Sequence, residues 1–262
     1  MAFNKDSTLG TISVVTGLCL ACSIVVSVAA VGLRSTQEEN KAIDKQSNIL
    51  SVAGVDISAV AKRDLAKLYG DKIEARLVDL ASGDFVEGDA DKFDAQAAAK
   101  DPARNIRLSA ADDKASLRQI AKQIPVFFAK DAQGKVDSII LPIHGQGLWS
   151  TMYAFVAVAA DGKTIKGITY YSHGETPGLG GEIENPAWRA LFNGKQMFDQ
   201  DGNFALRIIK GHAPADAIHE VDGLSGATLT ANGVQHSFEF WMGAKGFGPF
   251  LAKVRAGEIN NG

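Results

Sequence analysis

Met152–Tyr171 reads MYAFVAVAADGKTIKGITYY. Met152–Ala160 is an apolar run, and Thr164–Tyr171 carries the same β-branched and aromatic character. Between them stands Asp161-Gly162, a dipeptide that accepts the positive φ angles of a two-residue hairpin turn. The stretch predicts two antiparallel strands. Upstream, PVFFAK from Pro125 and VDSIILPI from Val136 are separated by Gln133-Gly134, which predicts a second hairpin. Farther upstream, Lys72–Leu80 alternates apolar residues at Ile73, Ala75 and Leu77 before Val78 and Leu80, as a strand does. Phe204–Ile209 reads as one more strand.

Helical spacing occupies the intervals. Ile57, Val60, Leu65 and Leu68 fall on one face, with Gly70 as a stop signal. Ala111–Ile124 has helical spacing through Leu117, Ile120 and Ile124. Pro186–Phe192 reads as a short helix closed by Gly194, and Thr230–Gly243 and Gly248–Ile259 as two more. Residues 84–104 are polar and read as loop with a short helix. Hairpins outnumber βαβ crossovers, so the expected class is α+β: a mixed α/β domain with a largely antiparallel sheet. No internal repeat or low-complexity tract interrupts it.

Composition narrows the function. The chain has 262 residues, with 27 Lys and Arg against 30 Asp and Glu. A net charge of −3 argues against nucleic-acid binding, which needs a basic face. The two cysteines, Cys19 and Cys22, sit near the start. A disulfide scaffold is excluded, and so are cysteine-ligated metals and cysteine nucleophiles in the main body. The five histidines (144, 173, 212, 219 and 236) show no metal-ligand spacing and read as ordinary polar residues.

No charged residue occurs from Ser7 to Leu33. A membrane-spanning helix needs about 20 apolar residues, so this run reads as an anchor helix over about 9–33. A cleaved signal peptide is the alternative, with weak cleavage-site look-alikes at Ser27-Val28-Ala29 and Val28-Ala29-Ala30. Flanking charges leave the orientation undecided: Lys5 and the amino terminus stand against Arg34, Lys41 and Lys45. Cys19 and Cys22 share a helical face and read as small residues at a helix–helix interface, near Gly17 and Ser23. The expected organisation is an anchor over 1–34, a linker and first α/β portion over 35–130, and a ligand-binding domain over 131–262.

Three segments carry chemistry. Asp222-Gly223-Leu224-Ser225-Gly226-Ala227-Thr228 sets two hydroxyls among small residues just before a helix, where unpaired N–H groups favour a phosphate. An ordinary capped turn uses the same residue types. A serine-hydrolase elbow, G-x-S-x-G, is matched only as far as Ala227, and no particular histidine is assigned to Ser225. His173–Glu182 (HGETPGLGGE) follows a strand and is glycine-rich enough to wrap a flat ligand, with Leu179 on its ring; a long hairpin-end loop is the alternative. Gly145–Ser150 (GQGLWS) joins two strands, and its Trp149 reads by itself more as core than as a ligand platform. Neither a Rossmann fingerprint nor a P-loop occurs.

The DGLSGAT run resembles the flavinylation motif D-x-x-[ST]-G-A-T of the FMN-binding domain family. In that family the last threonine carries FMN through a phosphoester bond. Here Thr228 holds that place, Asp222, Ser225, Gly226 and Ala227 fill the other motif positions, and Gly223 and Leu224 stand between them. The HGETPGLGG loop resembles the family's second hallmark, and the two occur in order. The resemblance covers the chain from anchor to last helix. It is to the members found in Na+-translocating NADH:quinone oxidoreductases (Nqr) more than to those of Rnf complexes. The long stretch over roughly residues 50–130 and the GQGLWSTM and HGETPGLGGEIENPAW segments decide between the two.

This resemblance implies a covalent FMN on Thr228, installed by a separate flavin transferase that uses FAD. It implies Glu175, Thr176, Leu179, Gly180 and Trp149 as the flavin clamp, and Lys210 near the flavin, favouring a negatively charged state. It implies an electron-carrying subunit of an NADH:quinone reductase, without its own NADH site and with the other Nqr subunits as partners. The expected location is the bacterial inner membrane, single-pass, with the N-terminus cytoplasmic and the flavin domain periplasmic. Two other classes make different predictions. A non-redox anchored binding module predicts no covalent flavin, and an anchored hydrolase predicts a reactive Ser225.

Overall fold

The computed structural model describes residues 7–259. Two compact units divide the chain between Lys45 and Gln46. The first holds helix α1, Thr8–Gly32, and the start of helix α2, Arg34–Val52. The Ser7 hydroxyl caps α1 by accepting the Gly10 N–H at 3.1 Å. The 25 residues of α1 rise about 38 Å at roughly 1.5 Å each, more than the roughly 30 Å thickness of a bilayer's hydrocarbon. Its Leu9, Ile12, Leu18, Ile24 and Val28 side chains are exposed, and the helix is long and apolar enough to cross a membrane. Helical hydrogen bonding passes through Leu33, which donates to Ala29 and accepts from Gln37.

The second unit follows in chain order. Helix α3 is Lys62–Lys72, then come β1 (Ile73–Asp79), β2 (Phe85–Val86), α4 (Ala95–Lys100), β3 (Asn105–Arg107) and β4 (Gln119–Ala121). The long strands are β5 (Gln123–Lys130), β6 (Val136–Gln146), β7 (Thr151–Ala159) and β8 (Ile165–Ser172). A 3-10 turn at Gly180–Glu184, α5 (Pro186–Ala190), β9 (Arg207–Ile209), β10 (Glu220–Asp222), α6 (Thr228–Trp241) and α7 (Gly248–Ala256) complete it.

Six strands form one sheet in the order β2-β1-β5-β6-β7-β8. Every pairing in it is antiparallel, as the two hairpins require. Strands from both sides of residue 130 share this sheet. Alternation decides its faces: Val126, Phe128, Ile139, Leu141, Val156 and Tyr170 belong to the main core with Val234, Phe238 and Trp241 of α6 and Phe250 of α7. On the opposite face Phe127 meets Phe155 edge to face, and Phe155 stacks on Tyr171. Apart from this sheet, β9 and β10 pair in parallel, with Ile209 opposite Asp222.

Two sequence expectations fail locally. Ala111–Ile124 is not a helix. The Asp113 carboxylate accepts the N–H groups of Leu117 and Arg118 at 2.6 and 2.7 Å, which holds a tight turn, and Ile120 and Ile124 are buried in β4 and β5. Ser116 and Arg118 there take φ of +57° and +65°, outside any helix. Gly70 does not stop α3, which runs on until Ile73 turns extended at φ −118° and ψ 131°, and Ile57 and Val60 precede that helix.

His144 is not an ordinary polar residue. Its ring stacks on Tyr153 with centroids 5.3 Å apart and lies 5.0 Å from Trp241. Burial pushes its pKa from 6.5 down to about 4. Across that window the unfolded chain takes up a proton that the folded chain refuses, so stability falls as pH drops. At about 1.4 kcal/mol per pKa unit the loss approaches roughly 3 kcal/mol. His144→Phe keeps the ring contacts and should flatten the pH dependence of the urea midpoint between pH 6.5 and 4. Parallel curves for variant and wild type would refute this.

Candidate functional site

The segment after β10 is held against the strand before it. Gly223 donates its N–H to Gly211 at 3.2 Å, and a Cβ on Gly223 would lie 2.3 Å from the Ile209 carbonyl oxygen, so only glycine fits. The Trp188 indole N–H donates to the Asp222 carbonyl at 2.9 Å. The Asp222 carboxylate accepts the Ala213 N–H at 2.8 Å and lies 2.6 Å from His212 Nδ1. The Ala213 hydrogen bond first, then His212, hold its pKa below the usual carboxylate range. Asp222 is therefore spent on clamping residues 210–213 to the motif.

From this clamp the chain enters α6. Thr228 is its first residue and is exposed, while Ala227 at the cap supplies no side-chain acceptor. The first N–H groups of a helix have no intrahelical partner, and the Ala227 side chain at this cap makes no hydrogen bond to them. Thr228 lines a hollow of about 360 Å³. Segment 208–212, with Lys210, forms one wall; Gly223–Gly226, Thr228, Ala231 and Asn232 form the other. Gln235 steadies the first wall from α6. Its amide oxygen accepts the Ile208 N–H at 2.7 Å and its amide nitrogen donates to Leu206 at 2.9 Å, as a neighbouring strand would.

Thr230 has the opposite fate. It is buried, and its hydroxyl donates to Glu175 Oε2 at 2.5 Å. The same carboxylate accepts the N–H groups of Leu148, Trp149 and Ser150 at 3.2, 2.9 and 3.3 Å. Glu175 is only 5% exposed. Burial is the largest influence and raises its proton affinity, but the Thr230 and backbone hydrogen bonds together outweigh it and leave the pKa below the usual range. A Cβ on Gly147 or Gly180 would come within 2.6 or 2.9 Å of its oxygens, so both positions belong to this cradle. His173 steadies it: Nδ1 accepts the Glu175 N–H at 3.1 Å and Nε2 lies 3.0 Å from Glu184.

The rim is apolar. Trp149 is 68% exposed, which corrects its reading as core. Leu148, Leu179 and Leu229 are also exposed, and a Cβ on Gly226 would lie 3.2 Å from Leu179 Cδ2, which places the 175–180 loop over the motif. Thr176 is exposed, and its carbonyl accepts from Leu179 and Gly181 to shape the loop. Ser225 lines the hollow with His212, but no hydrogen bond joins them, so the nucleophile–base contact a hydrolase needs is not made. The sequence reading missed His212, Gln235 and Ile208. The Gln235 pairing carries no local signal; an Asp–His pair ten residues apart, astride two short strands, was the one available for His212.

A family model, the FMN-binding domain, matches residues 147–243, from the Trp149 loop through α6. Fold and site together define an FMN-binding domain in a chain that also carries an apolar N-terminal helix. The C subunit of the Na+-translocating NADH-quinone reductase (NqrC) of Vibrio alginolyticus is 55% identical over 260 residues, covering 99% of this chain and all of its own. The Yersinia pestis counterpart is 52% identical over 259 residues, covering 99% and 97%. The crystal structure of Shewanella oneidensis NqrC superposes with a TM-score of 0.77 at 37% identity, over 83% of this chain and 99% of that one. The chain belongs to the NqrC family of Na+-translocating NADH-quinone reductase subunits.

Glu175→Gln would set an amide NH2 among donors it cannot accept from. It should cost about 1–3 kcal/mol near neutral pH. The native carboxylate's contribution is present above the usual carboxylate range and is lost as pH falls through its lowered pKa. The gap between variant and wild-type urea midpoints should therefore narrow in acid. A gap that is absent near neutral pH, or constant with pH, would count against this account.

Proposed function

We propose that the chain is the electron-carrying NqrC subunit of a Na+-translocating NADH-quinone reductase, with FMN joined by a phosphoester to Thr228 Oγ1. One observation carries the reading. Of the two hydroxyls in Thr228-Leu229-Thr230, only that of Thr228 stands free at an uncapped helix start opening on a hollow. The residues fit the group. The first N–H groups of α6 and its dipole favour a phosphate. Leu179 and Trp149 offer apolar surface for a flat ring, while Thr176 and Gly180 shape the loop that carries Leu179. Glu175 serves by holding the loop that presents Trp149, not by touching the ring.

When bound, FMN supplies the electron-carrying chemistry; the protein binds, orients and tunes it. Lys210, in the wall of the hollow, favours negative charge there. Asp222 fixes that wall, and Gly223, Leu224, Ser225, Gly226 and Ala227 give the phosphate side its shape. The other Nqr subunits are the electron partners, and a flavin transferase using FAD is the maturation partner. α1 anchors the chain in the bacterial inner membrane, N-terminus cytoplasmic and flavin domain periplasmic.

In cells carrying an active flavin transferase, the denatured wild-type band should fluoresce under ultraviolet light. Thr228→Val should be dark, and Thr230→Val should still fluoresce. A dark wild-type band would return a non-redox anchored binding module to first place. Lys210→Met should move the flavin midpoint potential to more negative values in a spectroelectrochemical titration. Unchanged potentials would remove Lys210 from the tuning role.

A further inference from the structure

We propose that Asn232 is a positioning residue for the group on Thr228: its side-chain amide donates a hydrogen bond to the phosphoester. The inference rests on the phosphoester reading above. Helix α6 carries one polar stripe, Thr228, Asn232, Gln235 and Glu239. Steps of four, three and four residues, at about 100° per residue, keep the stripe within about 60° of arc. The contacts of its second half fix where it points. Gln235 accepts the Ile208 N–H at 2.7 Å and donates to the Leu206 carbonyl at 2.9 Å, so the stripe faces β9. Glu239 accepts from Gln235 at 3.1 Å and from Lys114 at 2.9 Å. Nearer the start of the helix, past the last of these contacts, Asn232 and Thr228 line the hollow.

Asn232 is exposed, and no hydrogen bond engages its amide among the described residues. Asparagine is a poor helix former, because its side chain competes for backbone groups. Its neighbour Gly233 is fixed by packing: a Cβ there would lie 2.4 Å from the Gln146 carbonyl oxygen. Exposed Asn232 carries no such constraint. Side chains four apart on a helix are neighbours, about 5–6 Å between Cβ atoms, and each leans toward the N-terminus. The Asn232 side chain therefore leans over the turn that Thr228 begins. An ionised phosphoester only accepts, and an amide NH2 supplies two donors without adding charge. Donation to an ionised oxygen is among the stronger hydrogen bonds. Such a bond restricts rotation about the ester linkage, and so sets the direction in which the rest of the group leaves α6.

The test uses full-length protein in dodecyl maltoside, a detergent without phosphorus, with loading verified by fluorescence of the denatured band. Two NMR readings are made. In the first, the 31P resonance of the covalent group is identified by its absence from Thr228→Val. It should move in Asn232→Ala and stay in place in His236→Ala, an exposed position off the stripe. In the second, the Asn232 side-chain NH2 signals, assigned by their loss in Asn232→Ala, are followed from unloaded Thr228→Val to loaded wild type. One of the two protons should move downfield. The urea midpoint of Asn232→Ala should be unchanged or higher, since alanine is the better helix former; a lower one would mark a structural role and count against the proposal. A loaded Asn232→Ala with the wild-type 31P resonance would overturn the proposal and leave the phosphoester reading intact. A dark wild-type band would overturn both. Should Asn232→Ala take up no flavin, the second reading decides: NH2 signals that coincide in loaded and unloaded protein would overturn the proposal.

Discussion

A single buried carboxylate organises this domain. Glu175 accepts from three successive backbone N–H groups of the β6–β7 loop and from the hydroxyl of Thr230 in the first turn of α6. A charge that deep in the fold is tolerable only when its lone pairs are filled. Filling them draws together three segments far apart in sequence: the Trp149 loop, the glycine-rich loop and the start of α6. The glycines at 147 and 180 follow from the closeness of that carboxylate. So does the division of labour between two neighbouring threonines, one consumed by the scaffold and one left to face the hollow.

The long strands are readable because their information is local. Met152–Tyr171 contains its own turn, and the apolar run on each side of it marks the two paired strands. Ala111–Ile124 invites a helical reading because apolar residues three or four apart also suit a capped turn followed by two short strands. What chooses between them is the Asp113 carboxylate, a polar contact that hydrophobic spacing does not register. Gly70 misleads because an exposed helix tolerates glycine, and the true end lies where β1 claims Ile73.

The site is legible to the extent that it rests on motifs. Small residues around hydroxyls before a helix mark Thr228, and the glycine-rich loop marks residues 173–182. The roles inside those motifs are not legible. The family resemblance casts Glu175 as a ligand contact, whereas its oxygens are committed to the protein. Asp222 belongs to the motif, but its clamp on residues 210–213 depends on a parallel strand pair that no local pattern announces. Gln235 acts as a surrogate strand for β9, and only the packed structure brings the two together.

Thr228 stands on a helix, not on a loop. α6 buries Val234, Phe238 and Trp241 in the main core, and its first turn is tied to the glycine-rich loop through Thr230. Anything moored at Thr228 is fastened at that end to a helix packed into the main core. Local openings that soften exposed loops need not move the mooring point, because displacing it means displacing the core itself.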